Sequence, residues 1–439
     1  MTATQENSFD ALVIGAGAGG LCAAARLAHL GYRTLLVERL DQVGGRASTH
    51  DVDGFKVNNG AIVVETGGIT EETFAEVGAT FDVRSPKVPL LYRIGGKNVD
   101  ITGGGWGMLL SKMTRSGAKL IQGIGAARND SGLPEDEIST AAWVAKFTKN
   151  ESVHGMFRNM CASVFAVSSD ELPARVFLTY FTRKSAFKKF GFAGGGTIGI
   201  WKSLAEAFQR DGGQLWLSSD VQGLRVVDGK VTGATIVRDG QAVEIDACFV
   251  VSNAGTAATL GLAGEGNVPA EYVAQVRQAD RPCSMITVNF ASQQRLVDTQ
   301  GMLSFATTRR LAYVANFTDM CPEMAPAGWN LYCGTGVPNP AVGDFDEEEE
   351  KALLFDDLRA EVPGFDEARI ISINTMRDGW PPQRAVAGFD LPQVTPIDNL
   401  WNVGDSVKEY ANGGITACAE TAKIVVEDIK DRFPVPAMA

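Results

Sequence analysis

The sequence is poor in histidine, and its cysteines are scattered. Its 439 residues include three histidines and seven cysteines. No two cysteines form a C-x-x-C pair and the histidines do not cluster with other metal-binding residue types, which argues against a zinc site. Scattered cysteines in odd number are typical of a reduced protein, so we expect a cytoplasmic location. The histidines are His29, His50 and His154, and the cysteines are Cys22, Cys161, Cys248, Cys283, Cys321, Cys333 and Cys418.

Long apolar runs and basic runs are also absent. No stretch approaches about 18 consecutive apolar residues, so no membrane-spanning helix is predicted. The formal net charge is −12 and no segment is rich in Lys or Arg, which argues against nucleic-acid binding. The first ten residues are polar and lack the cationic and apolar pattern of a signal peptide. The remaining composition, 45% hydrophobic and 21% charged, is that of a globular protein.

Glycine is abundant by contrast, and three glycines near the N-terminus form a G-x-G-x-x-G motif. The apolar run Ala11–Ile14 before the motif predicts a buried strand. Leu21–Leu30 after it predicts an Ala/Leu-rich helix, and Thr34–Val37 predicts a second strand. A motif placed between a strand and a helix is typical of a dinucleotide-binding unit. The three glycines are Gly15, Gly17 and Gly20.

The spacing of these glycines has a chemical explanation. The first allows a tight turn, the second lets the backbone approach a pyrophosphate, and the third lets helix and strand pack closely. The pyrophosphate is expected at the helix N-terminus, where free N–H groups favour an anion. Glu38, about 20 residues further on at the end of the second strand, is expected to accept hydrogen bonds from ribose hydroxyls. Because its charge would repel a 2′-phosphate, the motif predicts NAD or FAD rather than NADP.

A second glycine loop favours FAD. Gly44 and Gly45 follow Glu38 within a few residues, and Arg46 can donate charge-assisted hydrogen bonds to a diphosphate. A plain NAD dehydrogenase has no need of such an element. The segment Val43–Thr49 resembles the R-x-G-G-R-x-x-S/T signature of the flavoprotein superfamily that contains amine oxidases and phytoene desaturases. Gln42 stands at the position of the first Arg of that signature.

The resemblance extends over most of the chain. Residues 10–49, about 193–255 and 399–430 are similar to the phytoene desaturase-like branch of the amine oxidase superfamily. This implies an α/β fold, in which a Rossmann-type FAD-binding domain of the glutathione-reductase kind carries a discontinuous α+β substrate-binding domain. The expected FAD-binding domain comprises residues 1–83, 193–280 and 391–439, and the substrate-binding domain comprises residues 84–192 and 281–390.

The resemblance also assigns residues to the cofactor FAD. It implies that the Gly60-Ala61 step passes beside the isoalloxazine ring and that the backbone of Val221 meets the adenine. Asp405 is expected at the ribityl or phosphate region, and the helix after Gly414 is expected to point its N-terminus at the pyrimidine ring. The full expected set is Gly15, Gly17, Ala18, Gly20, Glu38, Arg39, Gly45, Arg46, Gly60, Ala61, Val221, Gly404, Asp405, Gly414 and Ile415.

Two departures from the amine oxidase pattern favour desaturation. Amine oxidases of the resembled superfamily usually carry a Lys on the strand that matches Met285–Phe290, and this segment has none. They also place an aromatic residue after the final glycine of a loop, where this chain has Gly414. The sequence NGGIT is closer to the G-x-G-I-P pattern of carotenoid desaturases, with Thr416 in place of Pro. The resemblance therefore implies an FAD-dependent dehydrogenase or desaturase that forms C=C in an apolar, alicyclic or isoprenoid-like substrate.

The expected reaction moves a hydride from a substrate carbon to flavin N5 while a base takes the neighbouring proton, and oxygen or a quinone then accepts the electrons. The sequence leaves open a redox-neutral flavoprotein isomerase, an amine oxidase with an unusual site, and a non-catalytic partner-binding flavoprotein. Residue type and position alone suggest the base or substrate-binding groups, which are Tyr410, Tyr180, Arg183 and Lys408.

Several local predictions concern the remaining segments. Phe55–Glu65 predicts a strand, residues 218–223 predict a turn, and residues 224–237 predict a hairpin around Asp228-Gly229. Apolar spacing in Trp106–Ile124 predicts amphipathic helices, which leaves contact with a membrane surface open. A homodimer is also left open.

Overall fold

The computed structural model describes residues 7–100, 138–182 and 189–434. Its strands are β1 (Ser8–Ile14), β2 (Thr34–Val37), β3 (Thr49–Val52), β4 (Phe55–Asn58), β5 (Val64–Glu65), β6 (Val83–Arg84), β7 (Leu90–Ile94), β8 (Lys97–Val99), β9 (Phe190–Ala193), β10 (Gln214–Trp216), β11 (Ser219–Val227), β12 (Lys230–Arg238), β13 (Gln241–Ser252), β14 (Met285–Ser292), β15 (Met302–Phe305), β16 (Leu311–Asn316), β17 (Asn330–Gly336), β18 (Arg369–Met376) and β19 (Leu400–Asn402). Its α-helices are α1 (Ala18–His29), α2 (Ile69–Glu76), α3 (Thr140–Ala145), α4 (Glu151–Phe165), α5 (Ala174–Thr182), α6 (Thr197–Arg210), α7 (Thr256–Ala263), α8 (Ala270–Ala279), α9 (Glu347–Glu361) and α10 (Gly414–Arg432).

A seven-stranded sheet is built around β1. Its order is β10-β2-β1-β13-β12-β11, and β19 also pairs with β13. Parallel pairing joins β10, β2, β1, β13 and β19, whereas β13, β12 and β11 form an antiparallel meander. Alternate residues of β1 enter different cores, because Ala11 and Val13 pack with α1 while Leu12 and Ile14 pack on the opposite face. Burial on both faces explains the uninterrupted apolar run of this strand.

The register of β1 and β2 places two predicted ligand-binding residues at the same edge of the sheet. Ile14 pairs with Val37, so that Gly15 and Glu38 follow their strands at the same carboxyl end. In a sheet of this kind, ligands bind outside the carboxyl ends of the strands. The sheet thus brings together the glycine motif and the acid that sequence spacing had linked.

A second seven-stranded sheet has the order β18-β14-β17-β16-β15-β7-β8. It is antiparallel except for the pair β15 and β7. All its strands come from the segments that the resemblance assigned to the substrate-binding domain, whereas those of the first sheet come from the other three segments. The domain boundaries themselves stay a prediction.

Most local predictions are confirmed. The strand, helix and strand of the N-terminal unit occur as β1, α1 and β2, and the hairpin of residues 224–237 lies within β11 and β12. α6 begins after three glycines and ends at Arg210. The N-cap of α9 is Asp346, which accepts hydrogen bonds from the N–H groups of Glu348 and Glu349.

Two local predictions are wrong in part. Residues 219–223 belong to β11 rather than to a turn, because Val221 pairs with Ile236 and buried residues alternate with exposed ones there. Phe55–Glu65 is not one strand, since β4 ends at Asn58 and β5 begins at Val64.

Among the described residues, no helix is both long and apolar enough to cross a membrane. The helices predicted within Trp106–Ile124 lie outside the described residues.

Candidate active site

The first glycine loop joins β1 to the N-terminus of α1. Gly15 has φ +89° and its N–H donates to the carbonyl of Val37 at 2.7 Å. A Cβ on Gly20 would lie 1.9 Å from the carbonyl oxygen of Gly15, so only glycine allows this close packing of helix and loop. The N-cap of α1 is Gly17, which has no capping side chain. The first N–H groups of α1 are therefore not occupied by a protein cap at this end, which suits an anion.

The second glycine loop is hydrogen bonded to the first. The N–H of Gly44 donates to the carbonyl of Ala16 at 2.8 Å, and Gly44 has φ +101°. Trp201 lies under this loop, with its Nε1 donating to the carbonyl of Ala47 at 2.8 Å. A Cβ on Gly44 would lie 2.9 Å from Cδ1 of Trp201. The indole ring of Trp201, which belongs to α6, thus holds the second glycine loop in place, a contact that the sequence did not indicate.

Glu38 connects the two loops. Its Oε2 accepts a hydrogen bond from the N–H of Ala16 at 2.7 Å, and its Oε1 accepts one from the N–H of Leu40 at 3.0 Å. The side chain is buried. A carboxylate has about four lone-pair directions. Two hydrogen bonds fix its orientation and leave acceptor capacity for ribose hydroxyls.

A buried ion pair lies beyond the second loop. The guanidinium of Arg46 binds the carboxylate of Asp405 through two hydrogen bonds of 2.8 and 2.6 Å. Arg46 also donates to the carbonyl of Pro381 at 2.9 Å. Burial would raise the pKa of Asp405, but Arg46, with smaller contributions from Arg384 and Lys408, holds this pKa well below its ordinary value. Asp405 is therefore an anion at neutral pH.

These elements surround one cavity of about 730 Å³. Of the residues assigned to FAD by resemblance, all but Gly20 and Gly404 line it. Gly20 serves the packing of α1, as described above. Gly404 has φ +103°, and a Cβ there would lie 2.6 Å from Oδ1 of Asn253. The cavity therefore brings together the predicted residues from both glycine loops, β2, β11 and the start of α10.

The residues that the second sheet and the segment after it contribute to the cavity lining are largely apolar, and we call this part of the lining the apolar end. Met285 of β14, Tyr313 of β16 and Met376 of β18 line it from the second sheet, and Trp380 follows β18. The C-terminal turn of α4 adds Ser163 and Val164, whose carbonyl accepts from Nε2 of Gln383 at 3.1 Å. Burial raises the pKa values of Tyr313 and of Cys418, the latter to about 12. Both groups therefore keep their protons at neutral pH.

Sequence reasoning missed several polar lining residues, among them Asn253, Gln383 and Arg384. Asn253 directly follows β13, and its position at the end of an apolar strand was a signal that could have identified it. Gln383 and Arg384 lie in an irregular segment between β18 and β19, and we find no signal in the sequence that distinguishes them.

The predicted catalytic residues do not lie together on the cavity lining. Tyr180, Lys408 and Tyr410 are not among the residues that line the cavity. The ring of Tyr180 packs edge-on against Phe165 at 5.3 Å, and the guanidinium carbon of Arg175 lies 5.6 Å from the ring centre of Tyr410. Arg183 lies outside the described residues.

Lys408 occupies a buried structural position. Its Nζ lies 2.5 Å from Oδ1 of Asp390 and donates to the carbonyls of Ala385 and Asp405, each at 2.9 Å. The Lys408 side chain is fully buried. In this arrangement the amine ties the segment of residues 385–390 to the turn after β19 through two hydrogen bonds and one ion pair.

A largely parallel sheet with two glycine loops at the carboxyl ends of its strands is the architecture of a dinucleotide-binding domain. A family model described as flavin containing amine oxidoreductase matches residues 18–430. The chain belongs to this family. Its cofactor is FAD, as the sequence predicted.

Individual relatives agree with this assignment. The chain is 30% identical to a neurosporene-forming phytoene desaturase of Rhodobacter capsulatus over 286 residues, which are 58% of this chain and 54% of that protein. The match thus spans about half the length of the curated relative. A solved oxidoreductase of Methanosarcina mazei has a TM-score of 0.81 and 26% identity, covering 95% of this chain and 99% of that one. Cyclohexylamine oxidase of Brevibacterium oxydans shares the fold, with a TM-score of 0.64 and 15% identity, covering 96% of this chain and 99% of that one.

The cavity residues fit FAD. The uncapped N-terminus of α1 and the two interlocked glycine loops suit a diphosphate, and Glu38 suits the adenosine ribose. Gly414 and Ile415, which line the cavity, begin α10, whose N-cap also lacks a capping side chain. A second helix dipole is thus available for negative charge on the ring system.

Proposed function

We propose that this protein is an FAD-dependent dehydrogenase or desaturase that removes a hydride and a proton from adjacent carbons of an apolar, isoprenoid-like or alicyclic substrate. The observation that carries the proposal is the apolar end of the cavity. Met285, Met376 and Trp380 line it, and β14 contributes no lysine there. The identity to a phytoene desaturase supports the same substrate class.

The lining residues serve the reaction by positioning and by exclusion of water. Bound FAD supplies a two-electron acceptor for the hydride. The methionine and indole side chains give an apolar surface that matches a hydrocarbon, since such surface gains about 25 cal/mol per Å² on leaving water. The start of α10 at Gly414 offers N–H groups and a positive dipole end, which stabilise negative charge that develops nearby.

The group that accepts the substrate proton stays a prediction. Tyr313 of β16 and Cys418 of α10 line the cavity, and both hold their protons at neutral pH because they are buried. Tyr410, Tyr180, Arg183 and Lys408 remain the proposed base or substrate-binding residues. The contacts of Lys408 favour a positioning role for it over proton transfer.

The electron acceptor, the oligomeric state and the cellular location are also proposals. Oxygen or a quinone is the proposed electron acceptor, and rapid mixing of the reduced protein with each would rank them by rate. A homodimer, contact with a membrane surface and a cytoplasmic location stay predictions.

Product analysis tests the proposal. Purified protein is incubated with phytoene, with shorter isoprenoids and with cyclic ketones, and the products are examined by mass spectrometry and absorption. The proposal expects loss of two hydrogens per reaction and a longer conjugated chromophore from a polyene. An isomer of unchanged mass would instead indicate a redox-neutral isomerase, and peroxide release with amines alone would indicate an amine oxidase.

A further inference from the structure

Arg384 lies beside the ion pair of Arg46 and Asp405. Its side chain lines the cavity, and its backbone N–H donates to Oδ2 of Asp405 at 2.9 Å. A Cβ on Gly255 would lie 2.7 Å from Cδ of Arg384, so the arginine stem packs against this glycine. Gly255 follows Asn253 by two residues, and the Asn253 amide lies against the first glycine loop. Arg384 is thereby held near the N-terminus of α1.

The protein balances the charge of Arg384 only in part, through the carboxylates of Asp405 and Asp280. The nearby carboxylate of Asp405 is already bound by both terminal nitrogens of Arg46. Nε of Arg384 is buried and has no hydrogen-bond partner within the described part of the chain. Burial and then repulsion by Arg46 lower the pKa of Arg384 to about 10, and Arg39 adds to the repulsion. A largely buried cation whose nearest carboxylate is already shared with Arg46 is unfavourable, so this site has the electrostatics of a receptor for an external anion.

FAD carries its negative charge on the diphosphate. The cavity is the place where FAD binds, and the anion-binding N-terminus of α1, Arg46 and Arg384 all face it. We propose that Arg384 binds the diphosphate of FAD and sets much of its affinity. Arg46 then serves mainly to hold Asp405, because its terminal nitrogens are engaged there. This inference depends on the FAD assignment and not on the identity of the substrate.

Ligand binding to the full-length apoprotein tests the role of Arg384. Apoprotein with Arg384→Met keeps the length of the stem and removes the charge. Loss of a charge-assisted hydrogen bond is expected to weaken binding of FAD and of ADP by about 10- to 100-fold. Binding of adenosine, which has no phosphate, is expected to change by less than about twofold, and Arg384→Lys is expected to lie between the two forms. Arg281→Met is the matched control, since Arg281 is exposed and its guanidinium stacks on Phe389 at 4.4 Å.

Urea unfolding of the same apoproteins separates ligand binding from a structural role. Removal of an incompletely balanced cation is expected to leave the apoprotein with Arg384→Met at least as stable as the wild type. Unchanged affinity for FAD and ADP would overturn the inference, and so would an equal loss for adenosine. A clear loss of apoprotein stability would overturn it as well, because it would mark Arg384 as a structural residue. None of these readouts depends on desaturase activity.

Discussion

Arg46 and Asp405 form a two-pronged ion pair, with distances of 2.8 and 2.6 Å, that joins the second glycine loop to the strand end after β19. The two residues are far apart in sequence, and both line the cavity. Their side chains are mostly buried. Such a pair fixes geometry more than it adds stability, yet removal of one partner leaves a buried charge uncompensated.

Asp405→Asn is expected to destabilise the apoprotein by about 3–5 kcal/mol, because Arg46 and Arg384 would then share a buried site without a carboxylate. Urea unfolding measures the difference. Asp246→Asn is the matched control, since Asp246 is exposed and pairs with Arg225 at the surface. Its cost is expected to stay below about 1 kcal/mol. Equal effects of the two substitutions would contradict the buried role of Asp405.

The same carboxylate predicts how stability depends on pH. The pKa of Asp405 is depressed in the folded state, where burial alone would raise it but Arg46, Arg384 and Lys408 together outweigh burial, whereas an unfolded Asp has a pKa of about 3.9. The unfolded state therefore binds more protons between these two values, so the stabilisation is present above about pH 4 and is lost as pH falls. The difference in stability between wild type and Asp405→Asn should shrink between about pH 5 and pH 3. A difference that is constant over this range would show that the pKa is not depressed.

Lys408→Met is expected to cost about 3–5 kcal/mol, because Asp390 would remain buried without its partner. Adding Asp390→Asn should recover part of this loss, which a double-mutant cycle would measure as coupling. Turnover per bound flavin should change little in any variant that folds. If turnover per bound flavin falls strongly while stability is preserved, Lys408 is part of the chemistry rather than a positioning residue.

Tyr410→Phe tests the proposed proton acceptor. If Tyr410 holds or moves the substrate proton, turnover should fall well beyond any change in flavin content, since general-base catalysis contributes about 100-fold or more. Tyr180→Phe tests the second candidate tyrosine in the same way, because Tyr180 also lies outside the cavity lining and packs on Phe165. Steady-state rates normalised to bound flavin would measure both. An unchanged rate for Tyr410→Phe would remove this residue from the candidates.

Gly20→Ala is expected to destabilise the protein by about 3 kcal/mol or more and to impair FAD binding, because the added Cβ would overlap the carbonyl oxygen of Gly15. Thermal unfolding and flavin content measure these effects. Gly266→Ala is the control, since a Cβ at that exposed position meets no atom within 4 Å. Wild-type stability of Gly20→Ala would show that α1 and the loop are not in close contact.

The sequence predicted the parts of the site that are local. β1, the glycine loop, α1 and β2 follow one another along the chain, and each step has its own signal in spacing or residue type. Residues 219–223 were misassigned because their strand character depends on pairing with β12 as well as on a short burial alternation. Local propensity is weak evidence where pairing decides the structure.

Arg384 and Lys408 show what the sequence could not reveal. Lys408 lies close in sequence to the flavin-facing turn and was therefore predicted to be catalytic, but its ion pair with Asp390 exists only in the folded chain. Arg384 has no motif of its own. Its importance arises because Asp405 is already bound by Arg46, a relationship between three distant segments.

Anaerobic flavin bleaching tests the proposed activity most directly. The purified yellow protein is mixed without oxygen with short isoprenoids, carotenoid precursors, cyclic ketones and acids, and primary or secondary amines, and the flavin absorption is followed. Our account predicts bleaching by a saturated carbon substrate together with a product that has gained C=C. Bleaching by amines alone would contradict it and would identify an amine oxidase.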